Sequence, residues 1–495
     1  MSITEKDLEK IVSQVVKNIE GAITNKNIEI PKNLAPIKIN DHHLKGVFEE
    51  IEAAIKATSE AQKQLMLEYR IEDRQRFIQA IRKKALENAE KMSQMGLEET
   101  GMGNLKDKII KHKVVAELTP GTEILKTDAY SGDHGLTIEE MAPFGVIGAI
   151  TPSTNPSETI ISNSIAMLAG GNAVVFNPHP GAKNTSTFAV DMINRAIIEE
   201  GGPENLVTTI FNPTLDTVEA IIHHPEVKLL CGTGGSQLVK KLLSSGKKAI
   251  GAGAGNPPVI VDDTADIPKA AKAVLDGATF DNNIPCIAEK EVFVLEAVAD
   301  DLIYHMLKNG AVMLDRQQTE AVMKTVLTEK EDLKAASCSG EKPRKTYGAS
   351  KEWVGKDAKL ILKEIGVAYK EDTRCVICEV EGDHPFVMTE MMMPVLPIVR
   401  VESIEEAIEL AKKAEGGNGH SAIMHSKNID NLTRFAKEIG TTIFVKNAPS
   451  YAGIGVGGEG FCSFTIAGPT GEGVTNARSF TRKRRCVLAE GFKIV

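Results

Sequence analysis

The sequence predicts an α/β fold built around a doubly wound parallel sheet, and three observations carry that reading. Short apolar runs alternate with amphipathic stretches, the strand-and-helix unit recurs roughly every 25 to 35 residues, and a glycine cluster leads one strand directly into a helix. The runs are Gly145 to Ile150, Ala173 to Phe176, Leu206 to Phe211 and Val227 to Cys231. The amphipathic stretches include Thr159 to Leu168 and Phe188 to Ile198, whose apolar residues return at helical spacing.

A further strand, Val259 to Val261, and a helix, Ile267 to Ala278, lead into a loop that holds Cys286. Strand Glu291 to Leu295 then opens a second α/β region that runs to about Thr442. Ahead of the sheet, His43 to Thr119 reads as mostly helical, with Phe77, Ile78, Ile81, Ala85, Leu86 and Ala89 on one face. The C-terminal piece is glycine-rich from Gly453 to Gly473 and ends in the basic run Arg482-Lys483-Arg484-Arg485. Such a run is either solvated or set against a phosphate or an acidic neighbour.

Residues 1–20 stand apart as an amphipathic helix. Leu8, Ile11, Val12, Val15, Val16 and Ile19 form a stripe, and Thr4 with Asp7 resembles a capping box. Residues 21–40 carry Asn, Lys and two prolines without helical spacing and read as a linker, so the body begins near Asp41. Alone in water the stripe is an apolar surface. It calls for a cover, either the body, another copy of the chain or a separate protein.

At 495 residues the chain is long enough for two or three domains, and its 42% hydrophobic content supports buried cores. A net charge of -9 opposes the broad positive surface that nucleic acid requires. No apolar run approaches the roughly 20 residues that span a bilayer, and charges stand where a signal peptide would be apolar. The expectation is a cytoplasmic protein with no nucleic-acid or membrane partner. The seven cysteines are an odd number spread thinly, which suits reduced thiols.

The glycine cluster Gly232-Thr233-Gly234-Gly235 follows a strand and opens the helix Ser236 to Leu243. Bare backbone N–H groups at a helix start can bind a pyrophosphate, and an ordinary strand-to-helix turn uses the same residues, so both readings stand at this point. A second cluster, Gly251-Ala252-Gly253-Ala254-Gly255, calls for close backbone approach. Cys286 lies in Asn282-Asn283-Ile284-Pro285-Cys286-Ile287-Ala288-Glu289-Lys290, where a thiol serves either as nucleophile or as a small apolar residue. Cys375 and Cys378 form a CxxC inside an apparent strand, Arg374 to Val380, with no second pair, which favours a core strand over a zinc or redox site. His223, His224, His420 and His425 lack ligand spacing, and no metal is expected.

Five stretches in order resemble the aldehyde dehydrogenase superfamily, and within it the CoA-acylating branch found with bacterial microcompartments. They are Ala142-Pro143-Phe144-Gly145-Val146-Ile147-Gly148, Ile150-Thr151-Pro152-Ser153-Thr154-Asn155-Pro156, Cys231-Gly232-Thr233-Gly234-Gly235, Pro285-Cys286-Ile287-Ala288-Glu289-Lys290 and Thr389-Glu390-Met391-Met392-Met393-Pro394. The resemblance implies a Rossmann-type nicotinamide-binding domain over residues 41–272, with oligomerisation strands inserted at 129–142. It implies an α/β catalytic domain over 273–445, and a segment 446–495 that returns to the first domain and adds an oligomerisation strand. It implies Cys286 as nucleophile, and Asn155 with the Cys286 backbone N–H as oxyanion donors. Glu390 matches the acid that binds the nicotinamide ribose, and Gly232, Thr233, Gly234 and Gly235 match the loop beside the pyrophosphate. Thr151, Pro152, Asn177, Pro178 and Gly253 complete the implied cofactor set. Asn177 stands where the superfamily has a lysine on the adenosine ribose, which leaves NADP open beside the expected NAD. The resemblance also implies a homo-oligomer, dimer or tetramer, housed in a microcompartment, with residues 4–19 docking on a shell protein.

The expected chemistry follows. A thiol near the reference pKa of about 8.5 is partly ionised at neutral pH and adds to a short aldehyde, with propanal favoured. Hydride leaves to the nicotinamide, and the acyl-cysteine is passed to CoA. Where the hydrolytic branch has a glutamate to activate water, this chain has Ala252. The alternatives are a hydrolytic enzyme using another base, such as Glu289, and a non-catalytic scaffold that keeps the fold.

Overall fold

Two parallel sheets, met one after the other along the chain, frame residues 44–332 and 344–495, which the computed structural model describes. The amphipathic helix and linker expected over residues 1–40 lie outside the described residues. After a short strand β1 (Val47–Phe48) come helices α1 (Ile51–Glu68), α2 (Ile71–Glu87), α3 (Ala89–Thr100) and α4 (Leu105–Leu118). Asp73 closes the start of α2 by accepting the Arg70 N–H at 2.7 Å, and Asn104 caps α4 by accepting the Asp107 N–H at 2.9 Å. Phe77, Ile78, Ile81 and Ala85 are buried as the spacing predicts. Leu86 is 38% exposed, and Ala89 belongs to the next helix because the chain breaks at Asn88.

A hairpin, β2 (Asp128–Gly132) and β3 (Gly135–Pro143), leads into β4 (Val146–Thr151), α5 (Pro156–Ala169), β5 (Ala173–Pro178), α6 (Lys183–Glu199) and β6 (Val207–Ile210). Then follow α7 (Leu215–His223), β7 (Val227–Thr233), α8 (Ser236–Leu243) and β8 (Lys248–Ala252). The strands lie in the order β1-β6-β5-β4-β7-β8 with every neighbour parallel. The chain steps outward from β4 in one direction through β5 and β6 and in the other through β7 and β8. Such a reversal splays the connections apart at the carboxyl ends of β4 and β7 and opens a crevice there. Helix α5 is buried along its whole length, so even Glu158 and Asn163 lie inside.

The second sheet takes β9 (Pro258–Val261), α9 (Ile267–Thr279), β10 (Glu291–Leu295), α10 (Glu296–Lys308), β11 (Ala311–Met313) and α11 (Arg316–Val326). An antiparallel ribbon, β12 (Leu327–Asp332) and β13 (Arg344–Ala349), precedes α12 (Ala358–Glu364), β14 (Cys375–Glu379), α13 (Pro385–Met388) and β15 (Val395–Val401). The sheet is completed by α14 (Ile404–Glu415), β16 (Ser421–His425), α15 (Ile429–Ile439) and β17 (Ile443–Lys446). Its order is β11-β14-β15-β10-β9-β16-β17, again parallel throughout. On β14 successive side chains point to opposite faces, so Cys375 packs into one core and Cys378, three residues on, into another. A single metal or a disulfide cannot join them across the sheet.

After the two-stranded pair β18 (Ile466–Ala467) and β19 (Gly473–Val474), the last strand, β20 (Thr481–Ala489), returns to β3. The two run antiparallel, Thr481 opposite Pro143 and Ala489 opposite Gly135. The basic run therefore lies on a strand, where Lys483 and Arg485 both pair with Glu139. Among the described residues no helix is long and apolar enough to cross a membrane.

Candidate active site

The crevice at the reversal is part of a cleft of about 870 Å³. Thr151 and Thr233, the last residues of β4 and β7, line it, and the Thr151 hydroxyl is buried with no partner among the described residues. Pro152, Asn155, Asn177, Pro178, Gly234, Gly235, Gly253, Cys286 and Glu390 line the same cleft. Gly235 starts α8, and a Cβ there would meet nothing within 4 Å, so the backbone faces open space. Gly232 does not line the cleft. A Cβ on it would stand 2.2 Å from Leu242 Cδ1, so its bareness lets α8 settle on β7. Asn177 accepts the Thr217 hydroxyl at 2.6 Å through Oδ1, which leaves its amide NH2 as the group it can offer. An orphaned hydroxyl, bare backbone at a helix start and this amide fit a nicotinamide dinucleotide.

The thiol arrives from the other sheet. Between α9 and β10 the chain turns through Asp281, Asn282 and Asn283, whose φ angles of 46, 54 and 67° are left-handed and tolerated best by Asn and Asp. Buried Lys290 fastens the turn, donating to Asn283 Oδ1 at 2.6 Å, the Asn283 carbonyl at 3.0 Å and the Pro285 carbonyl at 3.3 Å. Cys286 is half-buried at the cleft wall. Burial, then the charge of Glu390, push its thiol up to about 12, against the pull of Lys290 and the backbone N–H groups of Cys286 and Ile287. The sequence-based expectation of a partly ionised thiol is corrected here: without cofactor it is protonated. Burial also lifts Glu390 above the ordinary carboxylate range, while Lys290 and the Gly255 N–H, at 3.4 Å, hold it down.

Gly255 lets two segments meet, since a Cβ on it would lie 2.8 Å from His420 Cγ and 2.9 Å from the Cys286 carbonyl oxygen. His420 is buried with Nε2 unpartnered among the described residues, and burial holds it down to about 4, hence neutral. Its place behind the cysteine loop had no sign in the sequence, where it lacked ligand spacing. Glu289, the alternative base, is fully buried and turned away, its carboxylate accepting the Ser450 N–H at 2.8 Å and hydroxyl at 2.7 Å. It is absent from the cleft wall, whereas Ala252 lines it.

Beneath Asn155 lies a charged network that the sequence reading missed. Lys111 on α4 donates to Asn155 Oδ1 at 2.5 Å and forms ion pairs with Asp281 Oδ2 at 2.6 Å and Glu158 Oε1 at 3.0 Å. Lys108 joins Asp281 at 3.2 Å. Burial opposes the charge on Lys111, but Asp281 and Glu158 outweigh it and its pKa lies above the ordinary value. Burial likewise opposes the charge on Glu158, yet Lys111, His112 and Lys108 bring it down to about 2. The available signal was on α4, where the stripe ending in Val115 and Ala116 runs back through His112, Lys111 and Lys108, a buried face carrying charge. Among the described residues no cluster of metal-ligating side chains occurs.

A thiol on the wall of a cleft that Asn155 and the bare backbone of a helix start also line defines the class of cysteine-dependent oxidoreductases that act through a covalent intermediate. The chain belongs to the aldehyde dehydrogenase family, whose model matches residues 42–461. It is 45% identical to an acetaldehyde dehydrogenase (acetylating) of Salmonella typhimurium, over 92% of this chain and 94% of that one. Its fold matches a propionaldehyde dehydrogenase from the fucose-utilisation microcompartment of Clostridium phytofermentans, with a TM-score of 0.86, 51% identity and coverage of 91% of this chain and 100% of that one. A propionaldehyde dehydrogenase of Rhodopseudomonas palustris, solved with bound CoA and an acylated cysteine, matches with a TM-score of 0.85, 50% identity and coverage of 90% and 98%.

Proposed function

We propose that this protein is a CoA-acylating aldehyde dehydrogenase that converts a short aldehyde, propanal in preference, with a nicotinamide cofactor and CoA into acyl-CoA. The observation that carries the reading is Cys286 on the wall of a dinucleotide cleft that meets it with Ala252 and keeps Glu289 away. The relative named for acetylation and the structure with bound CoA and an acylated cysteine support it.

In this reading Cys286 releases its proton to solvent as its sulfur adds to the aldehyde carbonyl, and a tetrahedral oxyanion forms. Asn155 and the Cys286 backbone N–H donate to that oxyanion. The bound nicotinamide supplies the hydride acceptor. Glu390 orients its ribose, and Thr151, Pro152, Asn177, Pro178 and the turn from Thr233 to Gly235 hold the nucleotide. Expulsion of hydride leaves a thioester on Cys286. The CoA thiol then attacks it, the acyl–sulfur bond to CoA forms as that to Cys286 breaks, and the cysteine takes back a proton. Exchange of one thioester for another is nearly isoenergetic, so the reaction runs both ways. NAD is the proposed partner, because Asn177 offers no charge to a 2′-phosphate. Residues 41–272 are assigned to cofactor binding and 273–445 to the cysteine. The arms β2, β3 and β20 are assigned to a homo-oligomer, and residues 4–19 to a microcompartment shell protein. Steady-state assays over a series of aldehydes, with and without CoA, test the activity: the expected product is the CoA thioester, and free acid formed equally well without CoA overturns the proposal.

A further inference from the structure

Lys111 joins Asn155, the first turn of α5 and the turn carrying the cysteine loop. Its ammonium has three hydrogens and no acceptor: it donates to Asn155 Oδ1 and is ion-paired with Glu158 Oε1 and Asp281 Oδ2. A lysine cannot accept, so the atom of the Asn155 amide facing it must be the oxygen. The amide nitrogen is then the end left for the cleft that Asn155 lines. Nothing else among the described residues hydrogen-bonds the Asn155 side chain. A neutral amide without such a partner turns over at little cost, and half of its orientations would aim a lone pair at a developing oxyanion.

We propose that Lys111 is a positioning residue that fixes the Asn155 amide with its NH2 toward the reacting carbonyl oxygen, and that through Asp281 it holds the same amide in register with Cys286. The inference rests on the oxyanion role assigned to Asn155 above. The lysine stays charged because Asp281 and Glu158 outweigh its burial. Gly103 completes the clamp: Asp281 Oδ1 accepts the Asn104 N–H at 2.8 Å, and a Cβ on Gly103 would fall 2.0 Å from that oxygen.

The test is a double-mutant cycle on the full chain with nicotinamide cofactor and CoA present, each rate normalised to the amount of Cys286 that can be acylated. Asn155→Ala should lower kcat by about a hundredfold, the usual loss for one oxyanion donor, and Lys111→Met by at least about twofold, since half of the freed amide's orientations present a lone pair, with the aldehyde KM changed far less. The double variant should lose no more than Asn155→Ala alone, because the lysine acts through the amide. Losses that multiply, or a Lys111→Met enzyme that is less heat-stable yet keeps its kcat, overturn the proposal and leave the oxyanion reading intact. An unchanged kcat in Asn155→Ala overturns the oxyanion reading itself. Where Lys111→Met does not fold, Lys111→Gln with Glu158→Gln removes one positive and one negative charge together and carries the same cycle.

Discussion

The carboxylate of Glu390 stands close enough to the Cys286 sulfur that its charge adds to burial in holding the thiol up at about 12. The charge disfavours the thiolate, so its removal must lower the thiol pKa. Glu390→Gln should therefore speed alkylation of Cys286 by iodoacetamide at pH 8, at least about threefold for half a pKa unit. In the unsubstituted, cofactor-free enzyme the same rate should rise by about tenfold per pH unit through pH 10, since the thiolate fraction grows all the way. A plateau near pH 9 in that profile counts against the assigned burial of the thiol.

Cys286→Ala should abolish both oxidation and acyl transfer, whereas Cys375→Ala and Cys378→Ala should retain most activity. The latter two thiols fill opposite cores of β14, so their truncation is expected to cost about 1 kcal/mol of stability each and little else. With CoA withheld, mass spectrometry should find the acyl adduct on Cys286. An adduct on a different cysteine contradicts the mechanism.

Without CoA the enzyme should release at most a single burst of reduced nicotinamide, because Ala252, which lines the cleft, carries no base for water. CoA should restore turnover with ping-pong kinetics. Ala252→Glu should raise the rate of acyl-enzyme hydrolysis measured without CoA. No increase in a correctly folded variant means that the side chain at 252 is aimed elsewhere.

Gly255→Ala should disturb the cysteine loop directly. The added carbon meets both the His420 ring and the Cys286 carbonyl oxygen inside normal contact distance. Overpacking of this kind costs about 1–3 kcal/mol, and here the strain is relieved by moving the loop, so kcat should fall more than thermal stability does. A variant with full kcat would show that the loop does not need its present position.

Deletion of residues 1–20 should leave turnover and melting temperature unchanged while abolishing co-purification with shells. Lost activity would make that segment part of the enzyme body, and unchanged shell association would place the docking surface elsewhere.

The strands were legible because a strand buried on both faces is a largely apolar run, as β4 and β5 are, while β6 with Thr208 and Thr209 and β7 with Lys228 carry the pattern less cleanly. Cys286, Asn155 and Glu390 were found through local motifs. The Lys111 network was not, since its members lie on α4, on α5 and in the turn before Cys286, and only the fold brings them together. Gly232 was read as a phosphate contact from its place in a cluster, but the packing of Leu242 against it decides otherwise. β20 was expected only through the family resemblance, because a row of lysine and arginine carries no apolar alternation from which a strand can be recognised.

The pairing of β20 with β3 bears on when this protein can be finished. Glu139 and Arg485 are 346 residues apart in the chain, yet they face each other across one ladder. While the ribosome is still at work, β3 has β2 on one side and a bare row of backbone groups on the other. Both parallel sheets can close before that row is covered, since β17, the last strand of the second sheet, ends at Lys446. The arm is sealed only by a strand that emerges after both sheets, so a chain cut short before Thr481 would carry its cleft but offer neighbours an unfinished edge.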